Sequence, residues 1–185
     1  NKCNLILAIG GGSVIDLAKS INALQAYPGY EKEIILGKKK IKKSLIPLIV
    51  IPTTAGSGSE ATHFSVIYVE GKKYSLASNR LLPSTVFLDS QFLGKLPSYI
   101  LACTAFDALS QAIESHWSRN STKESRVYST KAIFSLSSNL SEGTKNSKSL
   151  SFDEVLLASN LAGKAINLTK TTAPHALSYG ITLMT

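Results

Sequence analysis

Apolar and polar positions follow two different rhythms along this chain. Leu5-Ile6-Leu7-Ala8-Ile9 is an unbroken apolar run, the pattern of a parallel strand buried on both faces. Gly10-Gly11-Gly12 ends it, and Ser13 stands where it can cap a helix whose apolar side is Val14, Ile15, Leu17, Ala18, Ile21 and Leu24. Pro28-Gly29 stops that helix, and Leu45 to Ile51 forms a second buried strand ending at Pro52. Strand, helix and strand with a crossover this long predict a βαβ unit. Thr53 to Glu60 is a loop of small residues. Phe64 to Glu70 and Lys73 to Ser78, joined by Gly71-Lys72, predict a hairpin, and Thr85 to Leu88 a short strand ending at Asp89.

After Leu96-Pro97 the β-branched runs give way to helical spacing, predicting helices from about Ser98 to Ser118, Thr122 to Ser141 and Phe152 to Leu168. Gly143 to Ser149 reads as a polar loop between the last two, and the segment around His175 as helical. The fold class expected is α/β plus all-α, divided near residue 96 into 1–96 and 97–185. No internal repeat is visible.

Composition narrows the class. The 185 residues are 44% hydrophobic and 17% charged, an ordinary globular balance. The longest apolar run is too short for a bilayer, and no signal-peptide pattern opens the chain, so a cytoplasmic protein without membrane contact is expected. The missing initiator Met, and ends that fall beside a strand and a helical segment, read as an internal fragment. Cys3 and Cys103 lack CxxC spacing and read as free buried thiols. The net charge of +8 includes a cluster at Lys38, Lys39, Lys40, Lys42 and Lys43. With no interleaved aromatics and no nucleic-acid motif, that cluster reads as a solvated loop, not a nucleic-acid site. The charge leaves a mild preference for anionic small molecules.

Two loops carry candidate chemistry. Gly10-Gly11-Gly12-Ser13-Val14-Ile15-Asp16 joins a buried strand to a helix, where bare backbone and helix N-terminal amides suit a pyrophosphate. Its spacing is not GxGxxG, so the usual Rossmann fingerprint is absent. Thr53 to Ser59 follows a second strand at the same sheet end, and two such loops favour a nucleotide crevice. Further along, Asp107, Gln111 and Glu114 share one helix face. An Asp inside an apolar helical pattern needs a partner, of which a metal is one kind. His175, in Thr171-Thr172-Ala173-Pro174-His175-Ala176, is a ligand candidate or a packed structural histidine.

Gly10-Gly11-Gly12-Ser13-x-x-Asp16, Pro52-Thr53-Thr54-Ala55-Gly56-Ser57-Gly58-Ser59-Glu60 and Asp107-Ala108-Leu109-x-x-Ala112-Ile113-Glu114, in that order, resemble the iron-containing alcohol dehydrogenases. The resemblance covers essentially the whole chain but only the middle of the family's length. It implies a dehydroquinate-synthase-like fold, with 1–96 part of an α/β dinucleotide-binding domain and 97–185 part of a helical metal and substrate domain. It implies NAD(H) or NADP(H) bound through Gly11, Gly12, Ser13, Asp16, Thr53, Thr54 and Ser57. Lys73 is the best match to a hairpin lysine near the nicotinamide ribose, with Lys72 as the alternative register. A divalent metal, Fe²⁺ or Zn²⁺, is implied at Asp107, Gln111 and His175, with a fourth ligand beyond Thr185.

Gln111 departs from the family, which has a histidine there, and an amide oxygen is the weaker ligand for a borderline metal. His116 cannot substitute: nine residues from Asp107 is about 900° of rotation at about 100° per residue, the opposite face. Either Gln or water fills the position, or the enzyme works without tight metal binding. The stretches Glu114 to Arg126, Gly163 to Asn167 and Thr169 to His175 resemble the phosphonoacetaldehyde reductase branch. That implies an aldehyde or alcohol substrate, a phosphonate for this branch, with His175 and Lys73 at the reacting centre and Arg126, Lys164 or Lys170 as anion partners. A polyol-phosphate dehydrogenase and a non-catalytic nucleotide-binding module are the alternatives. A homodimer is a family expectation.

Overall fold

A computed structural model describes residues 3–145 and 151–182. Strands β1 (Ile6–Gly10), β2 (Leu48–Pro52) and β5 (Thr85–Val86) form a parallel sheet in the order β1-β2-β5. The register runs from Ile6 opposite Leu48 to Gly10 opposite Pro52, so both small-residue loops leave the sheet at one edge. The second strand begins at Leu48 rather than Leu45, because Pro47 has no N–H for the ladder; its carbonyl instead accepts from Ile6 N at 2.9 Å. Leu45 packs with Tyr27, Ile34, Leu76 and Leu81 in a separate cluster. The fifth strand is also shorter than expected, since Asp89 turns the chain by accepting from Gln91 N at 3.0 Å.

Helix α1 (Gly12–Gln25) crosses from β1 toward β2, and α2 (Glu31–Ile35), which periodicity does not predict, follows it. The expected burial of this unit is corrected in two places. In β1, Ala8 is buried but Leu7 and Ile9 are about half exposed, so one face of the sheet is open among the described residues. In α1, Val14, Leu17 and Ile21 are exposed while Lys19, Ser20 and Asn22 are buried. Each buried polar group is satisfied, which removes most of the penalty for burying it. Ser20 Oγ meets Ser65 Oγ at 2.7 Å, and Asn22 Nδ2 donates to Ile46 O at 2.7 Å.

Strands β3 (Phe64–Val69) and β4 (Lys72–Ala77) pair as the expected antiparallel hairpin. The turn is Glu70-Gly71, one residue earlier than Gly71-Lys72, with φ of 50° and 72°, the positive pair that a tight two-residue hairpin needs. Tyr68 therefore pairs with Lys73. The lysine loop is solvated as expected, with Lys38, Lys40, Lys42 and Lys43 exposed, and aromatic contacts tie it to the fold. Lys39 Nζ lies 3.4 Å from the Tyr30 ring centre, and Tyr27 Oη accepts from Lys42 N and Lys43 N at 2.6 and 2.7 Å.

Helices α3 (Ser98–Trp117), α4 (Lys123–Lys145), α5 (Phe152–Thr169) and α6 (Ala173–Thr182) make the second half. The first three pack on a seam of small side chains, including Ala105, Ala108, Ala112, Ala132, Ala158 and Ala162. Thr122 and Ser125 cap the start of α4 reciprocally, with Ser125 N to Thr122 Oγ1 at 3.0 Å and Thr122 N to Ser125 Oγ at 2.8 Å. That helix runs through residues 143–145, into the expected polar loop, whose remainder lies outside the described residues. The two halves meet where Gly58 abuts Gly163 of α5: a Cβ built on Gly163 falls 2.8 Å from Gly58 Cα. Cys3 and Cys103 are free, as expected, but exposed rather than buried. No helix among the described residues is long and apolar enough to cross a membrane.

Candidate functional site

The first loop meets the second through missing side chains. A Cβ on Gly12 would lie 2.3 Å from Ser57 Oγ, and one on Gly11 would lie 3.2 Å from Thr54 Oγ1. Glycine is thus required at residue 12 for the two loops to touch. Ser13 does not cap α1: the cap position is Gly11, and no side chain bonds to this helix end. The reason is that the helix begins at Gly12, which places Ser13 inside its first turn. An uncapped first turn keeps the anion-binding character of a helix N-terminus. Gly11, Gly12, Ser13, Asp16, Thr54, Ser57, Lys73 and Asp107 line one cleft of about 770 Å³. Thr53 is not among its lining residues; its N–H donates to Gly10 O at 3.1 Å and ties the loops by backbone.

Asp16 is bonded through both carboxylate oxygens, accepting from Ser59 Oγ at 2.5 Å and from Val66 N at 3.0 Å. Burial raises its pKa, against the opposing hydrogen bonds from Ser59 and Val66 and the charges of Lys19 and Lys73. One turn on, fully buried Lys19 donates to the carbonyls of Ser59, Thr62 and Phe64 at 2.6, 2.7 and 2.8 Å. Burial pulls its pKa down to about 8, with Asp16 and Glu60 pulling the other way. Sequence reasoning missed Lys19 because a lysine on a helix ordinarily reads as exposed. The signal was its i, i+3 spacing from Asp16.

The second cluster is built on α3. Gln111 Nε2 donates to Asp107 Oδ2 at 3.0 Å, and His175 Nε2 lies 3.1 Å from Asp107 Oδ1. The other ring nitrogen of His175, Nδ1, meets Glu114 Oε1 in a short hydrogen bond. Glu114 Oε2 also accepts from Thr172 N at 2.5 Å and Thr172 Oγ1 at 2.8 Å. The buried carboxylate needing partners is therefore Glu114, with 2% of its side chain exposed, and not Asp107, with 43% exposed. Burial pushes the Glu114 pKa up, but the His175 and Thr172 hydrogen bonds outweigh it and hold the carboxyl below its ordinary range. The Asp107 contact raises the His175 pKa, burial opposes this, and Glu114 adds to the rise. His116 turns toward α4, its Nδ1 3.1 Å from Ser129 Oγ.

Gln111 is 4% exposed, and its Oε1 has no hydrogen-bond partner among the described residues. Its amide nitrogen is committed to the Asp107 carboxylate, so the oxygen is left as a buried acceptor facing an unmet need. Among the described residues no group of three or more His, Cys, Asp and Glu side chains could hold a metal ion. The donor set here is mixed: Asp107 Oδ1 and His175 Nε2 converge, Gln111 Oε1 is orphaned, and Glu114 fixes the ring as an outer-shell carboxylate does. Asp107 Oδ1 and His175 Nε2 give one oxygen and one nitrogen donor for a divalent cation, while Gln111 turns Nε2 to Asp107 and Oε1 toward Gly58; turning that amide over would add its oxygen as a third donor.

A cleft of about 490 Å³ holds Asp107, Gln111 and His175 together with Asp16, Ser57, Lys73, Lys170 and Thr172. Asp16, Ser57, Val66, Lys73 and Asp107 line both clefts, so the glycine loops open directly onto the histidine cluster.

Residues 1–90 match a family model described as iron-containing alcohol dehydrogenase, and residues 101–184 one described as its C-terminal part. The probable alcohol dehydrogenase EutG of Escherichia coli K12 is 34% identical over 180 residues, 96% of this chain and 45% of that protein. Phosphonoacetaldehyde reductase of Streptomyces viridochromogenes is 31% identical over 191 residues, 98% of this chain and 48% of that protein. Among solved structures, sulfoacetaldehyde reductase from Bifidobacterium kashiwanohense in complex with NAD⁺ superposes with a TM-score of 0.89 at 31% identity, covering 97% of this chain and 49% of that one. The chain spans about half the length of the curated relatives it matches.

Proposed function

Since the chain belongs to the iron-containing alcohol dehydrogenase family, we propose that its protein transfers a hydride between NAD(H) or NADP(H) and an aldehyde, reducing phosphonoacetaldehyde to 2-hydroxyethylphosphonate. The observation that carries the reaction class is the continuity of the two clefts across Asp16, Ser57, Val66, Lys73 and Asp107. A nucleotide seated on the glycine loops has a direct opening to the His175 cluster. The phosphonate is supported by the likeness to phosphonoacetaldehyde reductase and by the cationic side chains of the cleft.

Each residue then has a task. The first turn of α1, with Gly11, Gly12 and Ser13, receives the cofactor pyrophosphate, Thr54 and Ser57 flank it from the second loop, and Thr53 fixes the loops to one another. Asp16 holds the hairpin by Val66 N, which places Lys73 beside the nicotinamide end. When bound, the reduced nicotinamide supplies the hydride. A divalent cation would be held by Asp107, Gln111 and His175, where it would polarise the substrate oxygen as a Lewis acid. Glu114 orients His175 from behind and holds the ring proton at Nδ1. The proton that completes the alcohol enters through the open cleft. In domain terms, 1–96 carries the cofactor and 97–185 the reacting centre.

Reduced-cofactor consumption by the full polypeptide with phosphonoacetaldehyde or propanal tests this. Faster consumption with phosphonoacetaldehyde is expected. Equal use of both aldehydes would remove the phosphonate from the account, and cofactor binding without consumption would remove the reaction.

A further inference from the structure

We infer that Lys170 is the residue that recognises the anionic end of the substrate. This rests on the reading of the site as an aldehyde-reducing cleft. Three basic residues of the segments resembling the phosphonate branch are candidates, and the fold separates them. Arg126 donates through Nε to Ser121 Oγ at 2.9 Å on the exposed start of α4. Lys164 faces a different cavity, lined by Glu60, Glu124 and Tyr128. Lys170 lines the cleft of Asp107, Gln111 and His175.

The backbone at Lys170 shows that its position is held against local preference. Its φ of 64° and ψ of 171° belong to a region populated almost only by glycine. A helix C-terminus by itself calls for glycine or asparagine there, so the end of α5 does not account for a lysine. The flanking residues fix it from both sides. Thr169, buried, meets Ser115 Oγ at 2.9 Å and donates to Lys170 O at 3.0 Å. Thr172 is bound through N and Oγ1 to Glu114. Both anchors stand on α3, the helix that carries Asp107 and Gln111. The strained residue is thereby locked to the reacting centre, as expected of a positioned functional group.

Charge in the cleft leaves the same residue. Lys73 is balanced by Asp16, and His175 stands between Asp107 and Glu114. The Lys170 ammonium has no acidic or hydrogen-bonding partner among the described residues. A small organic aldehyde with a phosphonate at its far end would supply one, through charge-assisted hydrogen bonds to Nζ.

The test is calorimetric titration of methylphosphonate into the full polypeptide saturated with cofactor, for the wild type and the variants K170M, K170R, K170G, K164M and R126M. Lys170→Met should weaken binding by roughly 10- to 100-fold, Lys170→Arg should retain it, and Lys164→Met and Arg126→Met should leave it unchanged. Lys170→Gly removes the whole side chain, charge included, while relieving the positive-φ backbone, so it should melt no lower than wild type yet bind as poorly as Lys170→Met. Unchanged affinity in Lys170→Gly, loss in Lys164→Met or Arg126→Met instead, or no binding by the wild type would each overturn the inference. Lys170-dependent binding without turnover of phosphonoacetaldehyde would keep this assignment and sink the proposed reaction.

Discussion

Burying Lys19 completely is tolerable only because three carbonyl oxygens receive its three N–H bonds. Those carbonyls belong to the end of the second small-residue loop and the segment after it, so one side chain sets the distance between α1 and that loop. Lys19→Met leaves the carbonyls without donors and should lower the unfolding free energy by about 3 kcal/mol, read by urea denaturation. Glu60, buried and accepting from Asn160 Nδ2 at 3.1 Å, works in the opposite sense. Burial raises its pKa above the ordinary carboxylate value. Above about pH 4.5 the unfolded chain has lost this proton while the folded one keeps it, so stability falls as pH rises through the window up to the raised pKa. Glu60→Gln should flatten that slope in urea midpoints measured from pH 4 to 8. An unchanged slope would show that other groups set it. At the proposed cation site, Gln111→His replaces an amide oxygen by imidazole and should tighten Zn²⁺ binding at least about tenfold, read by titration against a coloured chelator.

At the scale of elements, the contact between Gly58 and Gly163 joins the loop of the first half to α5 of the second. Gly58 has φ of 61°, and a Cβ on Gly163 would fall 2.8 Å from Gly58 Cα and O. Gly163→Ala should cost about 3 kcal/mol of stability and weaken cofactor binding together with it, as measured by melting and by cofactor fluorescence. Stability lost with cofactor affinity intact would separate the two halves functionally. This contact was not legible in the sequence, because nothing local to residue 163 marks a neighbour 105 positions earlier. What was legible is local. The apolar runs gave the parallel strands, and 3.6-residue spacing gave α3 and α5 to within a residue. The hairpin turn slipped by one because Glu70 takes a positive φ that sequence rules reserve for Gly and Asn. On α1 the expected face held at Ile15, Ala18 and Leu24 but failed at Leu17 against Lys19, because hydrophobicity alone ranks Leu17 above Lys19 and only tertiary hydrogen bonds reverse that order. Asp107, Gln111 and His175 were found by motif, but the partnership of Glu114 with Thr172 and His175 depends on α6 folding back onto α3.

Over the whole molecule, the site exists only because two halves with different architectures share a cleft. The parallel sheet offers the glycine loops at one edge, the hairpin brings Lys73, and α3 with α6 brings Asp107, Gln111 and His175. Val14 and Leu17 of α1 line the same cleft as the glycine loop, so part of its wall is apolar. In the proposed reaction a hydride crosses from one half to the other at the His175 cluster. Its most direct test is the fate of deuterium when the full polypeptide reduces phosphonoacetaldehyde with a reduced cofactor deuterated at both C4 positions. One deuterium is expected at the carbinol carbon of 2-hydroxyethylphosphonate, with a rate at least about 100-fold lower in His175→Ala. Product without deuterium, or an undiminished rate in that variant, would contradict it.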